Sequence, residues 1–155
     1  MSSKVELNFD IIQEPWNLYE IEDGIIIKVR VIVKRVFRFK ETEEKGGYDV
    51  EQQNITVIAH IPPELKGKKS QRKLTTQEAM SAVIRDDVRF SVLREEWNEY
   101  AVEDGAKIRL KVSLMNVGKT NQFDQNGDPI YTIQTSAMAS IKPPKKYSDF
   151  EKPAK

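Results

Sequence analysis

The sequence predicts an all-β, mainly antiparallel fold, a tandem duplication of a meander of about four strands. The two meanders close as one pseudo-two-fold barrel or sandwich with one short linker helix. Three observations carry this. First, residues 14–36, EPWNLYEIEDGIIIKVRVIVKRV, return as residues 95–117, EEWNEYAVEDGAKIRLKVSLMNV, at an offset of 81. Glu14/Glu95, Trp16/Trp97, Asn17/Asn98, Tyr19/Tyr100, Glu22/Glu103, Asp23/Asp104, Gly24/Gly105, Val31/Val112 and Val36/Val117 are identical, and Ile27/Ile108, Lys28/Arg109 and Arg30/Lys111 keep their chemistry. Second, apolar and polar residues alternate with period two over long stretches, the pattern of a strand with one covered face. Third, Asp-Gly, Gly-Gly and Asn-Gly pairs separate these stretches, and a Pro-Pro pair ends each return run; glycine supplies positive φ at turns and proline cannot extend a ladder.

Taken in order, Leu7–Gln13 aligns with Val88–Arg94. The alternation of Phe9 and Ile11 with polar neighbours reads as an opening strand. Glu14–Tyr19 reads as a turn or a single helical turn, with Pro15 at an early helical position. Asp23-Gly24 and Asp104-Gly105 read as two-residue type I′ hairpins, in which both central residues take positive φ.

A long strand follows each turn. Ile25, Ile27, Val29, Val31 and Val33 share one face, continued by Phe37 and Phe39. Lys28, Arg30, Lys34, Arg38 and Lys40 share the other, with Ile26, Ile32 and Val36 among them. In the second copy Ile108, Leu110, Val112 and Leu114 oppose Lys107, Arg109, Lys111 and Lys119. Turn-rich segments, Glu41–Gly47 and Asn121–Pro129, lead into return strands Val50–Ile61 and Ile130–Ile141, closed by Pro62-Pro63 and Pro143-Pro144. Between the copies, LKGKKSQRK reads as a flexible basic loop. Thr75-Thr76-Gln77-Glu78 then reads as a capping box opening a helix of about ten residues, Thr76 to Arg85. The resulting organisation is one duplicated β domain over 1–147, with repeat one at 5–63, the linker and helix at 64–87 and repeat two at 88–144. Residues 145–155 lack an apolar pattern and read as a disordered tail.

A chain of 155 residues fits one domain. With 25 Lys and Arg against 24 Asp and Glu, net charge is +1 and selects no class of partner; only the distribution of charge is informative. The absence of cysteine excludes disulfides and cysteine-based zinc sites or nucleophiles. The opening MSSKVELNFD has no apolar core of signal-peptide type, and Lys28 and Arg30 interrupt the longest apolar run. A cytoplasmic protein without membrane association is expected.

The candidate nucleic-acid surface is the repeated basic strand face, Lys28, Arg30, Lys34, Arg38, Arg109 and Lys111, joined by Lys68, Lys69, Arg72 and Lys73 of the linker. Alternate strand residues lie ~6.5–7 Å apart, close to the spacing of backbone phosphates. The expected companions on that face are Gln52, Asn54, Thr56, His60, Gln134, Ser136 and Ser140, with no aromatic platform; Trp and Tyr of the repeat are expected in the core. The bland reading is a solvated face that guards the sheet edges. The candidate protein-interaction residues are the acidic hairpins Glu22, Asp23, Glu103 and Asp104, whose sign suits pairing with the basic strands, within the domain or between subunits. Asp124–Asp128 reads as a hairpin turn, since a calcium loop would need Glu where Thr135 stands. His60, the single histidine, nominates no catalytic partner. The leading expectation is therefore a non-catalytic protein-interaction or assembly module, partnered by another protein or by itself. Nucleic-acid binding through the basic face is the alternative, and an enzyme comes third. No cofactor, metal or small-molecule substrate is called for.

Overall fold

The computed structural model describes residues 3–40 and 47–144. The turn expected at 41–46 and the tail expected at 145–155 lie outside the described residues. Ten strands and one α-helix follow in order: β1 (Lys4–Leu7), β2 (Phe9–Gln13), β3 (Asn17–Ile21), β4 (Ile26–Phe39), β5 (Tyr48–Ala59), α1 (Thr76–Ser81), β6 (Val83–Arg85), β7 (Phe90–Arg94), β8 (Asn98–Val102), β9 (Lys107–Phe123) and β10 (Pro129–Lys142).

They form two five-stranded antiparallel sheets. In the first, β4 lies beside β5 on one side and beside β3 and β1 on the other, and β7 pairs with β3. In the second, β9 lies beside β10 on one side and beside β8 and β6 on the other, and β2 pairs with β8. Each copy thus gives its opening strand to the sheet of the other. The expected meander starts one strand late: β3-β4-β5 and β8-β9-β10 are meanders, whereas β2 and β7 are exchanged about the pseudo-two-fold axis.

Apolar residues facing inward from both sheets make one core. Ile27, Val29, Val31 and Val36 meet Ile108, Leu110, Val112 and Val117, all at most 2% exposed. Each such side chain contributes ~1.5–3 kcal/mol by leaving water. Tyr19 and Tyr100 are buried beside them, edge-on to Phe90 and Phe9 of the exchanged strands at 5.8 Å.

Four expectations are corrected here. Asn17 already belongs to β3, so residues 14–16 are a short irregular link from β2 and Pro15 starts no helix. The hairpins have three-residue loops, closed by Ile21 N donating to Ile25 O and Val102 N to Ala106 O, both at 2.9 Å. Asp23 and Gly24 both take positive φ, but in the second copy only Gly105 does, following a turn in which its own N donates to Val102 O. The helix is six residues long: its capping box between Thr75 and Glu78 is formed, but Val83–Arg85 is a strand on β9. A β-branched residue followed by Ile84 suits the edge of a sheet better than a helix's second turn.

The fourth correction is a bulge at the same place in each long strand. Val33 pairs with Gln52 but Arg35 with Glu51; Leu114 pairs with Thr135 but Asn116 with Gln134. Lys34 and Met115 are the extra residues. An inserted residue reverses the alternation beyond it, so Val36 and Val117 enter the core, fully buried. Phe37 and Phe39 are displaced to the half-buried outer side, where Lys4 Nζ lies 4.5 and 5.9 Å from their rings.

The linker is bound, not loose. Gly67 N donates to Gly127 O at 2.9 Å and Ser70 N to Asp124 O at 3.0 Å, and Lys66 pairs with Asp128 at 3.4 Å. The Asp124 side chain accepts from the backbone N of Asn126 and Asp128, making the segment the expected hairpin turn.

Candidate interaction surfaces

The repeated residues are used first to lock the copies together. Asn17 Nδ2 donates to the Val112 carbonyl and Asn98 Nδ2 to the Val31 carbonyl, each at 2.7 Å and each crossing from one copy to the other. Tyr19 donates to Glu95 at 2.6 Å and Tyr100 to Glu14 at 2.7 Å, again across copies. Burial, and then the neighbouring carboxylate, pushes both phenols well above the usual tyrosine range. Gln13 reaches the Trp97 carbonyl at 2.6 Å, and its counterpart Arg94 reaches the Trp16 carbonyl at 3.0 Å. The sequence signal for this lock was the identity of Glu, Asn and Tyr in both copies. What it could not supply was that each pair is completed by the other copy.

The basic face is partly spent in the same network. Arg30 pairs with Glu14 at 3.2 Å and Lys111 with Glu95 at 3.6 Å. Lys34 stands exposed on the bulge. Arg38 leaves the stripe altogether: beyond the bulge it turns to Asp104 at 3.2 Å, beside the Tyr48 hydroxyl that donates to the same carboxylate oxygen at 2.6 Å. In the linker, Lys68, Lys69 and Lys73 are exposed, whereas Arg72 makes a two-pronged pair with Glu78 at 2.9 and 2.6 Å. That pair, with the Thr75 backbone, holds the Glu78 carboxyl down at about 2.

Because the inner faces of the two sheets share one core, the stripes around Lys28 and Arg109 point to opposite sides of the molecule and make no continuous track. Their companions also differ from expectation. Direct partners across a ladder share a face, and Lys28, Arg30 and Ile32 pair with Val57, Ile55 and Gln53. Gln52, Asn54 and Thr56 therefore line the inward side of β5. In the second copy Gln134, Ser136 and Ser140 do lie with Arg109 and Lys111. His60 is exposed just past β5, in left-handed backbone.

The tryptophans are on these outer faces, half-buried, and not in the core. Lys28 Nζ and the Arg30 guanidinium lie 5.0 and 5.7 Å from the Trp16 ring; Arg109 and Lys111 lie 4.5 and 5.4 Å from Trp97. Such stacks hold a ring flat against the sheet. Alternation could not place them, since Trp16 and Trp97 precede the strands whose faces it describes.

The acidic hairpins are engaged inside the molecule. Glu22 pairs with Arg85 of β6, at the end of the linker, at 2.6 Å. Glu103 accepts from Asn8 N at 2.6 Å. Asp104 also caps its own turn by accepting from Ala106 N. Asp23 is exposed, and its charge helps raise the Tyr131 phenol, after burial. Positive strands and negative turns thus meet within the domain.

Two surfaces stood out less in the sequence. β5 and β10 are the longest edge strands of their sheets, 12 and 14 residues, and pair only with β4 and β9. Their middles, Gln52–Val57 and Gln134–Ala139, carry no charge and are largely exposed on both faces. The two edges face each other across the opening of the sandwich, bridged by Asn54 Nδ2 to Thr135 Oγ1 at 3.3 Å. Beside β10 lies a groove of about 880 Å³ under α1, lined by Leu74, Met80, Val83, Ile130 and Thr132. Among the described residues no cluster of His, Asp and Glu could hold a metal ion, and no helix is long and apolar enough to cross a membrane. Compared with protein-family models, curated proteins and solved structures, the chain matches none.

Proposed function

We propose that the protein is a cytoplasmic, non-catalytic assembly module that recruits protein partners by adding strands to the free edges of β5 and β10. The observation that carries this is the pair of long edges with uncharged, doubly exposed middles. An unpaired edge offers a row of backbone donors and acceptors, and proteins that do not use such an edge blunt it with lysine, proline or a bulge. Here the bulges lie in the central strands, and the prolines stand only at or beyond the strand ends. The acidic hairpins are left out of this surface, because the carboxylates of Glu22, Glu103 and Asp104 are engaged within the molecule.

The test is capture by tagged protein, compared among wild type, Thr56→Lys and Ala137→Lys, followed by binding of the purified captured protein. Loss of binding in either variant, with melting unchanged, is the expected result. An identical captured set for all three chains would overturn the edge reading.

The Trp and cation stacks favour a second reading, single-stranded nucleic acid stacked on Trp16 or Trp97. Base stacking on an aromatic contributes ~1–3 kcal/mol per base. Anisotropy of labelled DNA and RNA decides it: salt-dependent binding weakened by Trp16→Leu or Trp97→Leu supports this reading, and no binding at low salt removes it.

A further inference from the structure

Resting on the edge-pairing reading, we infer that β10 pairs antiparallel with the β10 of a second copy, centred on Thr135, to make a two-fold dimer with one continuous sheet across both copies.

Three features of β10 agree on that register. From Ile130 to Ile141 the strand carries no charge, but Asp128 stands just before it and Lys142 at its end. An antiparallel pairing centred on Thr135 sets Asp128 of each copy opposite Lys142 of the other. Lys142 has a reason to want that neighbour. Its own ladder partner is Lys107, a like charge directly opposite, and no carboxylate among the described residues pairs with either. Like charges facing each other across a ladder are destabilising. Asp128 is already approached by Lys66 at 3.4 Å, with a quarter of its side chain still exposed, so it can serve both.

The third feature is a knob and a hole. Met138 is 50% exposed on the outer face of β10, pairing with Lys111. In the same register it falls opposite Thr132 of the second copy. Thr132 lies on that same outer face, opposite Gly118, and forms a wall of the groove under α1. The partner's thioether chain would then lie among Leu74, Met80 and Val83. A flexible methionine is well suited to fill an irregular apolar groove. A two-fold axis makes the contact twice, as an isologous interface requires. β5 offers no such match: Asp49 and Glu51 at one end have only His60 beyond the other.

An edge-to-edge contact is small, in the range below ~1,200 Å² that goes with weak association. Sedimentation velocity of the full chain from about 1 to 200 µM should show a monomer–dimer equilibrium. Met138→Glu should shift it at least tenfold towards monomer, without changing the melting temperature. The chain has no native cysteine, so register is read directly. A mixture of Gln134→Cys and Ser136→Cys chains should form a disulfide heterodimer under mild oxidation, and neither chain should do so readily alone. Directly opposite residues lie ~4.5–5.5 Å apart at Cα, within disulfide reach. A wild type that stays monomeric at 200 µM, a dimer indifferent to Met138→Glu, or equal crosslinking of the single chains would each overturn the self-pairing. Partner capture that is lost in Ala137→Lys while the wild type stays monomeric would leave the edge-binding proposal standing without it.

Discussion

Replacing Asn17 by alanine should destabilise the protein more than any exposed substitution, and more than the same change at Asn98. The Asn17 side chain is 1% exposed and joins the copies at two points: its amide donates to the Val112 carbonyl, and its oxygen accepts from Glu96 N at 3.0 Å. Alanine removes both partners and puts no water in their place. Each buried polar group left unpaired costs ~1–3 kcal/mol, less for the part-buried Glu96 amide, which gives about 2–4 kcal/mol in all. For a chain of this length ~1 kcal/mol moves Tm by ~2–4 °C, so the fall should be roughly 4–16 °C.

Asn98 provides the internal control. Pro15 occupies the position equivalent to Glu96 and has no N–H, so the Asn98 oxygen lacks the corresponding donor. Its amide serves the Val31 carbonyl and the Tyr100 hydroxyl, and that hydroxyl keeps Glu14. Asn98→Ala should therefore cost about 1–3 kcal/mol. Thermal unfolding followed by far-ultraviolet circular dichroism measures both. If both variants melt within about 1 °C of wild type, or if Asn98→Ala is the worse of the two, the account of the lock is wrong.

Other expectations follow from the same geometry. Burial and Glu95 or Glu14 raise the pKa of Tyr19 and Tyr100, so folding favours the neutral phenol; this stabilisation is complete below pH ~10 and is lost as pH rises through the raised native values. Tyrosinate absorbance should show these two phenols ionising only together with alkaline unfolding, and early ionisation of all five tyrosines would contradict it. The Glu78 carboxyl, held down by Arg72 and the Thr75 backbone, should titrate at about 2 in a carboxyl-carbon NMR experiment, so the helix cap persists as pH falls through 4.5 and is lost only towards 2. An Arg72→Ala chain should move that midpoint upward. Deleting Lys34 should remove the bulge and keep Val36 inward, because Val33, Arg35 and Val36 then face Gln52, Glu51 and Val50 in unbroken alternation. The shortened chain should fold, and Lys34→Ala should change stability by no more than ~0.5 kcal/mol, whereas a deletion that abolished folding would show that Lys34 is not the inserted residue.

The duplicated strands were legible because their signals are local. Alternation reports which residues share a face within one regular strand, and Gly24, Gly105 and Gly127 sit at positive φ as turn chemistry requires. Alternation fails where regularity does, so a single inserted residue at Lys34 misassigned Val36, Phe37 and Arg38 together. The repeat itself concealed that mistake, because Met115 carries the same insertion at the same place. The helix was overextended for a related reason: Val83, Ile84 and the residues before them satisfy a helical period and a short strand equally, and only the neighbouring edge of β9 decides between them.

Charge was the least legible property, and the reason bears on how the candidate surfaces should be weighed. A sequence shows how many acids and bases stand in each copy but not which of them meet. Glu14 and Arg30 are sixteen residues apart, whereas Asp104 and Arg38 are sixty-six apart, yet both pairs close at 3.2 Å. Once such pairs are drawn, the duplicated carboxylates and much of the duplicated basic stripe belong to the join between copies. Selection for that join alone would keep Glu, Asn and Tyr in both repeats. It would not keep the centre of β10 free of charge over twelve residues, place Met138 outward, or leave Lys142 facing Lys107. The like charges of Lys142 and Lys107 cost a single folded chain stability, and a carboxylate brought to them by pairing at the sheet edge would offset that cost.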